Sequence, residues 1–225
     1  MKESMFDVSL RELKELLLRM SDLVERSIEI ATTALEQQDP HSVHKVFSLE
    51  KQINQCHLMV DAQCLNLLAL QQPLAKDLRL IVAIIKINTD LERMGDQAVN
   101  IATNTERYLK QPPIKPLVDL PCMFAEVRAM VRETFTCFVQ NDVALARSVV
   151  KRDDRVDALK HKIFLDTLEV IKSDPAKIEQ GLSLILVARN LERLGDHATN
   201  IAEDVIFAVT GEDIRHAPRV ETMIY

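Results

Sequence analysis

Leu91-Glu92-Arg93-Met94-Gly95-Asp96-Gln97-Ala98-Val99-Asn100-Ile101-Ala102 returns one hundred positions later as Leu191-Glu192-Arg193-Leu194-Gly195-Asp196-His197-Ala198-Thr199-Asn200-Ile201-Ala202, with nine of the twelve residues identical. Each copy follows an apolar run, Leu80 to Ile85 in the first and Leu184 to Ala188 in the second. On a helix, Glu92, Asp96 and Asn100 fall at i, i+4 and i+8, so their oxygens share one stripe. A hydrophobic helix that twice places two carboxylates and a carboxamide on one stripe is built to hold something positively charged.

Outward from the repeat, helix punctuation is legible. Asp39-Pro40 and Asp174-Pro175 each offer an acid at the N-cap followed by proline at the first helical position, and Pro73 can open another helix. Asn141 is expected to cap the fifth helix, and Gly211 to close the last. These signals predict helices near 5–38, 41–71, 73–110, 119–140, 142–172 and 175–210. Gln111-Pro112-Pro113-Ile114-Lys115-Pro116 falls midway and reads as a linker. The expected organisation is a first three-helix repeat over 1–110, a linker over 111–118, a second repeat over 119–211 and a tail over 212–225. Short connections force antiparallel neighbours, so the fold class is all-α, with six long helices in two pseudo-symmetric antiparallel three-helix bundles. Two copies are too few for a solenoid, and duplication of one bundle accounts for them.

Composition agrees with this and excludes several functions. Among 225 residues glycine occurs 4 times and aromatics make up 4%, a balance suited to packed helices. The net charge of −6, with no Trp and 2 Tyr, argues against a nucleic-acid surface or base stacking. Residues 1–20 read as a charged amphipathic helix without a secretory h-region, and no apolar stretch approaches the roughly 20 residues of a membrane span. Cys56, Cys64, Cys122 and Cys137 lack Cys-x-x-Cys spacing and read as isolated thiols. The expectation is a soluble cytoplasmic protein.

The plainer reading of the stripes is ordinary surface acid, with Arg93 and Arg193 as counter-ions. Asp90 could pair with Arg93 at i+3, but Asn190 takes the matching place in the second copy. Duplication weakens that reading, and glycine weakens it further. Gly95 and Gly195 are half of the chain's glycine, and each sits inside a helix, where it costs ~1 kcal/mol relative to alanine. Close approach of a neighbouring helix or of a bound group would account for them. The preceding helix of each half offers a partner stripe. Glu50-Lys51-Gln52-Ile53-Asn54 and Asp153-Asp154-Arg155-Val156-Asp157 share the pattern acid, two residues, aliphatic, Asn or Asp. Four oxygen side chains across one groove suit Mg, Mn, Ca or iron more than structural zinc. The Glu-x-x-His tetrad of a ferritin-like di-iron site is missing, as are a Gly-rich phosphate loop and a Gly-x-Ser-x-Gly elbow.

Glu92-Arg93-Met94-Gly95-Asp96 and Glu192-Arg193-Leu194-Gly195-Asp196 resemble the duplicated signature of the PhoU family of phosphate-uptake regulators. Gln72-Pro73-Leu74-Ala75-Lys76-Asp77-Leu78-Arg79 and the ending Gly211-Glu212-Asp213-Ile214-Arg215-His216 are similar to that family too. The resemblance implies a fold of two three-helix bundles and a cytoplasmic, non-enzymatic role as a negative regulator of phosphate uptake and starvation signalling. It implies a phosphate ABC transporter ATPase and a sensor histidine kinase as partners, a homodimer, and contact with the membrane only through those partners. It also implies metal on the acid motifs, iron, Mn, Mg or Zn, held by Glu92 with Asp96, Glu192 with Asp196, Asp153 with Asp157, and Glu50 with Asn54. Asn54 departs from the acid of the motif, which makes the first half the weaker expected site. Two alternatives stay open: a metal-dependent phosphohydrolase, since clustered carboxylates with a metal can activate water, and a metal-free helical adaptor.

Overall fold

A computed structural model describes residues 4–114 and 119–215. Residues 115–118 of the expected linker and the tail from His216 onward lie outside the described residues. Seven α-helices follow one another: α1 (Met5–Glu36), α2 (Val43–Gln71), α3 (Ala75–Tyr108), α4 (Asp119–Gln140), α5 (Val143–Val150), α6 (Asp153–Ser173) and α7 (Ile178–Thr210), with a 3₁₀ turn at Pro175–Lys177 before the last. No strand occurs among the described residues. The architecture is the expected all-α one. α1, α2 and α3 pack as one three-helix set, and α4, the α5–α6 rod and α7 as the other.

The most extensive helix pair joins the two sets: α3 lies along α7. The repeated segments lie in this pair and carry a buried apolar stripe on each helix. Leu91, Met94, Ala98, Ile101 and Ala102 of α3, like Leu191, Leu194, Ala198, Ile201 and Ala202 of α7, are fully buried. Their i, i+3, i+7 spacing is that of a single core stripe. Polar bonds cross the same interface. Asp90 Oδ1 lies 2.8 Å from His197 Nδ1 and accepts from Asn200 Nδ2 at 3.4 Å. Asp90 therefore faces the other half and not Arg93, the partner that spacing alone suggested. Lys86 Nζ meets the buried Asp204 at 3.3 Å and sits 5.2 Å from the centroid of the Phe207 ring.

Several helix ends depart from the sequence expectation for identifiable reasons. The fifth rod is not continuous: a turn at Lys151 and Arg152 divides α5 from α6. Arg152 stands at the break. Its guanidinium reaches back to α4, 2.5 Å from Glu126 and 2.8 Å from Glu133, and Asp153 and Asp154 then restart a helix at its positive end. Asn141 is not the cap of α5. It takes a left-handed φ of 53°, which asparagine tolerates, and Asp142 caps the helix by accepting from the Leu145 amide at 3.0 Å. α2 begins at Val43, because Asp39 spends its carboxylate on the His41 amide in a preceding turn. α3 begins at Ala75, itself at a positive φ of 43°, three residues after the left-handed Gln72. Gly211 closes α7 as expected, at φ 80° with its amide on Phe207 O at 2.8 Å.

The repeated glycines mark helix contacts. A Cβ at Gly95 would stand 3.2 Å from Ile53 Cδ1, and one at Gly195 would stand 3.4 Å from Val156 Cγ1. Side chains of neighbouring helices thus account for both. The two contacts also fix the register of α2 on α3 and of α6 on α7, with Ile53 and Val156 as counterparts. Because 3.4 Å is ordinary contact, Gly195→Ala is expected to gain about 0.5–1 kcal/mol from helix propensity. Gly95→Ala should gain less, since Ile53 must give way. Chemical denaturation of the two variants measures this, and a destabilised Gly195→Ala would mean that the α6–α7 approach is tighter than it looks.

Candidate functional site

Glu50 and Asn54 stand on the groove side of α2, with Glu92 and Asp96 opposite on α3. Asp153 and Asp157 occupy the first turns of α6, with Glu192 and Asp196 opposite on α7. Each stripe is positioned by the glycine contact beneath it, since Ile53 and Val156 each lie one residue before the second ligand candidate of their helix.

In the first half, Asn54 Nδ2 donates to Glu50 Oε1, and Asn54 Oδ1 is buried without a hydrogen-bond partner. Partial burial, and then the charge of Glu50, raise the Asp96 carboxyl above its usual range. Glu50 and Asp96 are thus brought within electrostatic reach of each other across the groove. Glu92 stands one turn ahead of Asp96 on the same face.

In the second half the acids crowd more closely. Partial burial, followed by the charges of Glu192, Asp153 and Asp157, pushes the Asp196 carboxyl up to about 6, against a smaller downward pull from His197. All four expected residues therefore converge on one region. A fifth side chain, not singled out from the sequence, lies among them. Lys160 Nζ is 2.8 Å from Glu192 Oε1 and 3.1 Å from Asp157 Oδ1. The signal for it was its place three residues after Asp157, an ordinary i,i+3 pair that gives no hint of the contact to α7.

The sign of the Asp196 shift gives a pH dependence. Its folded value lies above the ordinary 3.8, so the folded state holds the proton more tightly than the unfolded one. Its contribution to stability is therefore full below about 4 and is lost as pH rises through about 6. Asp196→Asn should not show that loss, and the melting-temperature gap between variant and parent should open between pH 4 and 6.5. A gap that stays constant across that window would show that the four carboxylates do not share a field.

As a donor set the stripes fit a hard cation. Every candidate presents oxygen, and in the second half the acids have already drawn in an ammonium. They are not gathered in advance, however: no group of three or more His, Cys, Asp or Glu side chains that could hold a metal ion forms among the described residues. Binding would require the Asn54 amide and the Lys160 ammonium to turn away from their present acids.

A family model described as the PhoU domain matches this chain twice, over residues 17–105 and 120–205. The chain belongs to the PhoU family. Among its relatives is the "Phosphate-specific transport system accessory protein PhoU homolog" of Aquifex aeolicus, 38% identical over 92% of this chain and 94% of that one. The homolog so named in Pseudomonas aeruginosa is 36% identical over 94% of this chain and 88% of its own. Two solved PhoU structures share the fold. The crystal structure of PhoU from Pseudomonas aeruginosa superposes with a TM-score of 0.89 at 36% identity, covering 92% of this chain and all of that one (100%). The phosphate transport system regulatory protein PhoU from Streptococcus pneumoniae superposes with a TM-score of 0.85 at 27% identity, over 92% of this chain and 98% of that one. The two matches of the PhoU domain together contain all eight acid-stripe residues.

Proposed function

We propose that this chain is a non-enzymatic negative regulator of phosphate uptake and phosphate-starvation signalling. It acts in the cytoplasm through the ATPase of a phosphate ABC transporter and a sensor histidine kinase. The observation that carries the reading is the near full-length likeness to relatives named as accessory proteins of the phosphate-specific transport system. Two features are in keeping with it. No helix among the described residues is long and apolar enough to cross a membrane, and the acidic chain is unsuited to binding promoters. Control then passes through protein contacts, made by a homodimer that meets the membrane only by way of its partners.

In this reading a divalent or trivalent metal, iron, Mn, Mg or Zn, is held by Glu50, Asn54, Glu92 and Asp96 in one half and by Asp153, Asp157, Glu192 and Asp196 in the other. The metal would supply charge neutralisation, drawing α2 to α3 and α6 to α7, so that the outer faces keep one shape for their partners.

A phosphate-starvation reporter in a deletion strain tests the function. Without the gene the reporter should stay on in phosphate-rich medium, and the wild-type gene should switch it off. Normal repression in the deletion strain would overturn the reading. Complementation with a Glu92→Ala, Asp96→Ala, Glu192→Ala, Asp196→Ala chain separates the metal's role: full rescue keeps the regulator and discards the metal. Phosphate release from a phosphomonoester by the Mn- or Mg-loaded chain would favour the phosphohydrolase alternative.

A further inference from the structure

We infer that the cleft between the end of α3 and the start of α7 is a binding site for an adenine nucleoside 5′-monophosphate. The cleft has a volume of about 490 Å³ and contains none of the acid-stripe residues. That volume lies within the roughly 300–1,000 Å³ of small-molecule sites. The site depends neither on a metal nor on the partners proposed above.

The internal duplication shows what this cleft lacks. Residues of α3 have their counterparts one hundred positions on in α7, so Asn104 corresponds to Asp204 and Leu186 to Lys86. At the other end of the helix pair the chain supplies its own cations. The Lys86 ammonium donates to the buried Asp204 at 3.3 Å, and Arg215 Nη1 stands 3.8 Å from the same oxygen. In the α3-end cleft a leucine takes the place of the lysine, and the donor is gone. Asn104 forms part of the wall and is only 7% exposed. Its Nδ2 donates to Asn100 O at 2.7 Å, while its Oδ1 is buried with no hydrogen-bond partner. An acceptor buried and unpaired is destabilising, and a ligand that brings an N–H relieves it.

The rest of the wall specifies what else the ligand carries. Arg107 and Lys110 follow Asn104 on α3 at i+3 and i+6, and both are exposed. Neither forms an ion pair among the described residues. Their two charges match the dianion of a phosphate monoester, and the N-terminal end of α7 faces them with its partial positive charge. Six residues of helix advance about 9 Å, a span that a nucleoside monophosphate covers from base edge to phosphate. Glu179, in the first turn of α7, offers a carboxylate to the ribose hydroxyls. Leu182 and Leu186 are exposed in the same cleft, an apolar bed for a two-ring base that moves aside to admit it to Asn104. Adenine presents an amino donor at the edge where hypoxanthine and guanine present a carbonyl oxygen. The unpaired Asn104 oxygen therefore selects adenine.

The test is equilibrium dialysis of AMP, IMP and adenosine against the full-length chain. The wild type should retain AMP at millimolar concentration. It should bind IMP at least about tenfold more weakly, because two acceptors then face each other. Adenosine, without the phosphate, should also bind at least about tenfold more weakly than AMP. Arg107→Gln combined with Lys110→Gln should bring AMP down to the level of adenosine. Asn104→Asp, which keeps an acceptor in place, should still prefer AMP to IMP, and Asn104→Leu should lose that preference. The three ligands on the unaltered chain decide the matter even where a variant fails to fold. No retention of AMP by the wild type, or equal affinity for AMP, IMP and adenosine, overturns the inference. So does an undiminished preference for AMP over IMP in folded Asn104→Leu.

Discussion

Arg152→Ala is expected to lower the melting temperature by about 6–12 °C. Arg152 is the bond between the α5–α6 turn and α4. It meets Glu126 at 2.5 Å and Glu133 at 2.8 Å, and the Glu126 side chain is only 8% exposed. Removing one partner of a buried pair leaves an uncompensated charge, at a cost of about 3–5 kcal/mol. Arg155 still reaches Glu126 at 3.3 Å, which places the loss near the lower end, about 3 kcal/mol. For a chain of this size each kcal/mol shifts the melting temperature by about 2–4 °C. Arg155→Ala is the control, since that side chain is 72% exposed and its pair is worth less than about 1 kcal/mol. Equal melting temperatures for the two variants would remove Arg152 from its role as the pin of the broken rod.

If the proposed metal is held by these stripes, Asp96→Ala combined with Asp196→Ala should strip most of it and leave the metal-free fold at least as stable as the parent. Both carboxyls are raised by partial burial and by neighbouring acids, so in the absence of metal each is a source of repulsion. Ligand loss and charge relief therefore act in opposite directions on two different readouts. Elemental analysis of untagged protein prepared without chelator or nickel resin gives the first, and thermal denaturation of chelator-treated protein gives the second. An unchanged metal content in the double variant would exclude these aspartates as ligands. A large fall in the melting temperature of the metal-free protein would show instead that they hold the helices directly.

What the sequence makes legible here is whatever is local and periodic. The acid stripes, the helical glycines and the Gly211 cap all follow from spacing within one helix. α4 was bounded correctly at both ends, because polar breaks flank an amphipathic run. The break at Arg152 was not visible. Nor were the partners of Arg152 there, Glu126 and Glu133, which stand 26 and 19 residues away on another helix. The same reason hides Lys160, whose decisive contact is 32 residues distant, and Asp90, whose partner His197 is 107 residues distant. Spacing rules offered Asp90 an arginine one turn away on its own helix, and tertiary packing supplied a histidine from the other half. Side-chain pairing between helices is set by packing register, which periodicity constrains only to a face.

The lengthwise contact of α3 with α7 gives the chain the geometry of a fused dimer, since both helices carry a copy of the same segment. An isologous contact in a true dimer must repeat every bond on both sides of its axis. Fusion lifts that obligation. Asp90 and His197 meet at 2.8 Å on one side, while their mates across the pseudo-axis are Asn190 and Gln97. Two identical first halves would bring Asp90 to Gln97, and two identical second halves Asn190 to His197; only the mixed pair sets a carboxylate against an imidazole. Divergence after duplication has thus written a heterodimer's specificity into a single polypeptide.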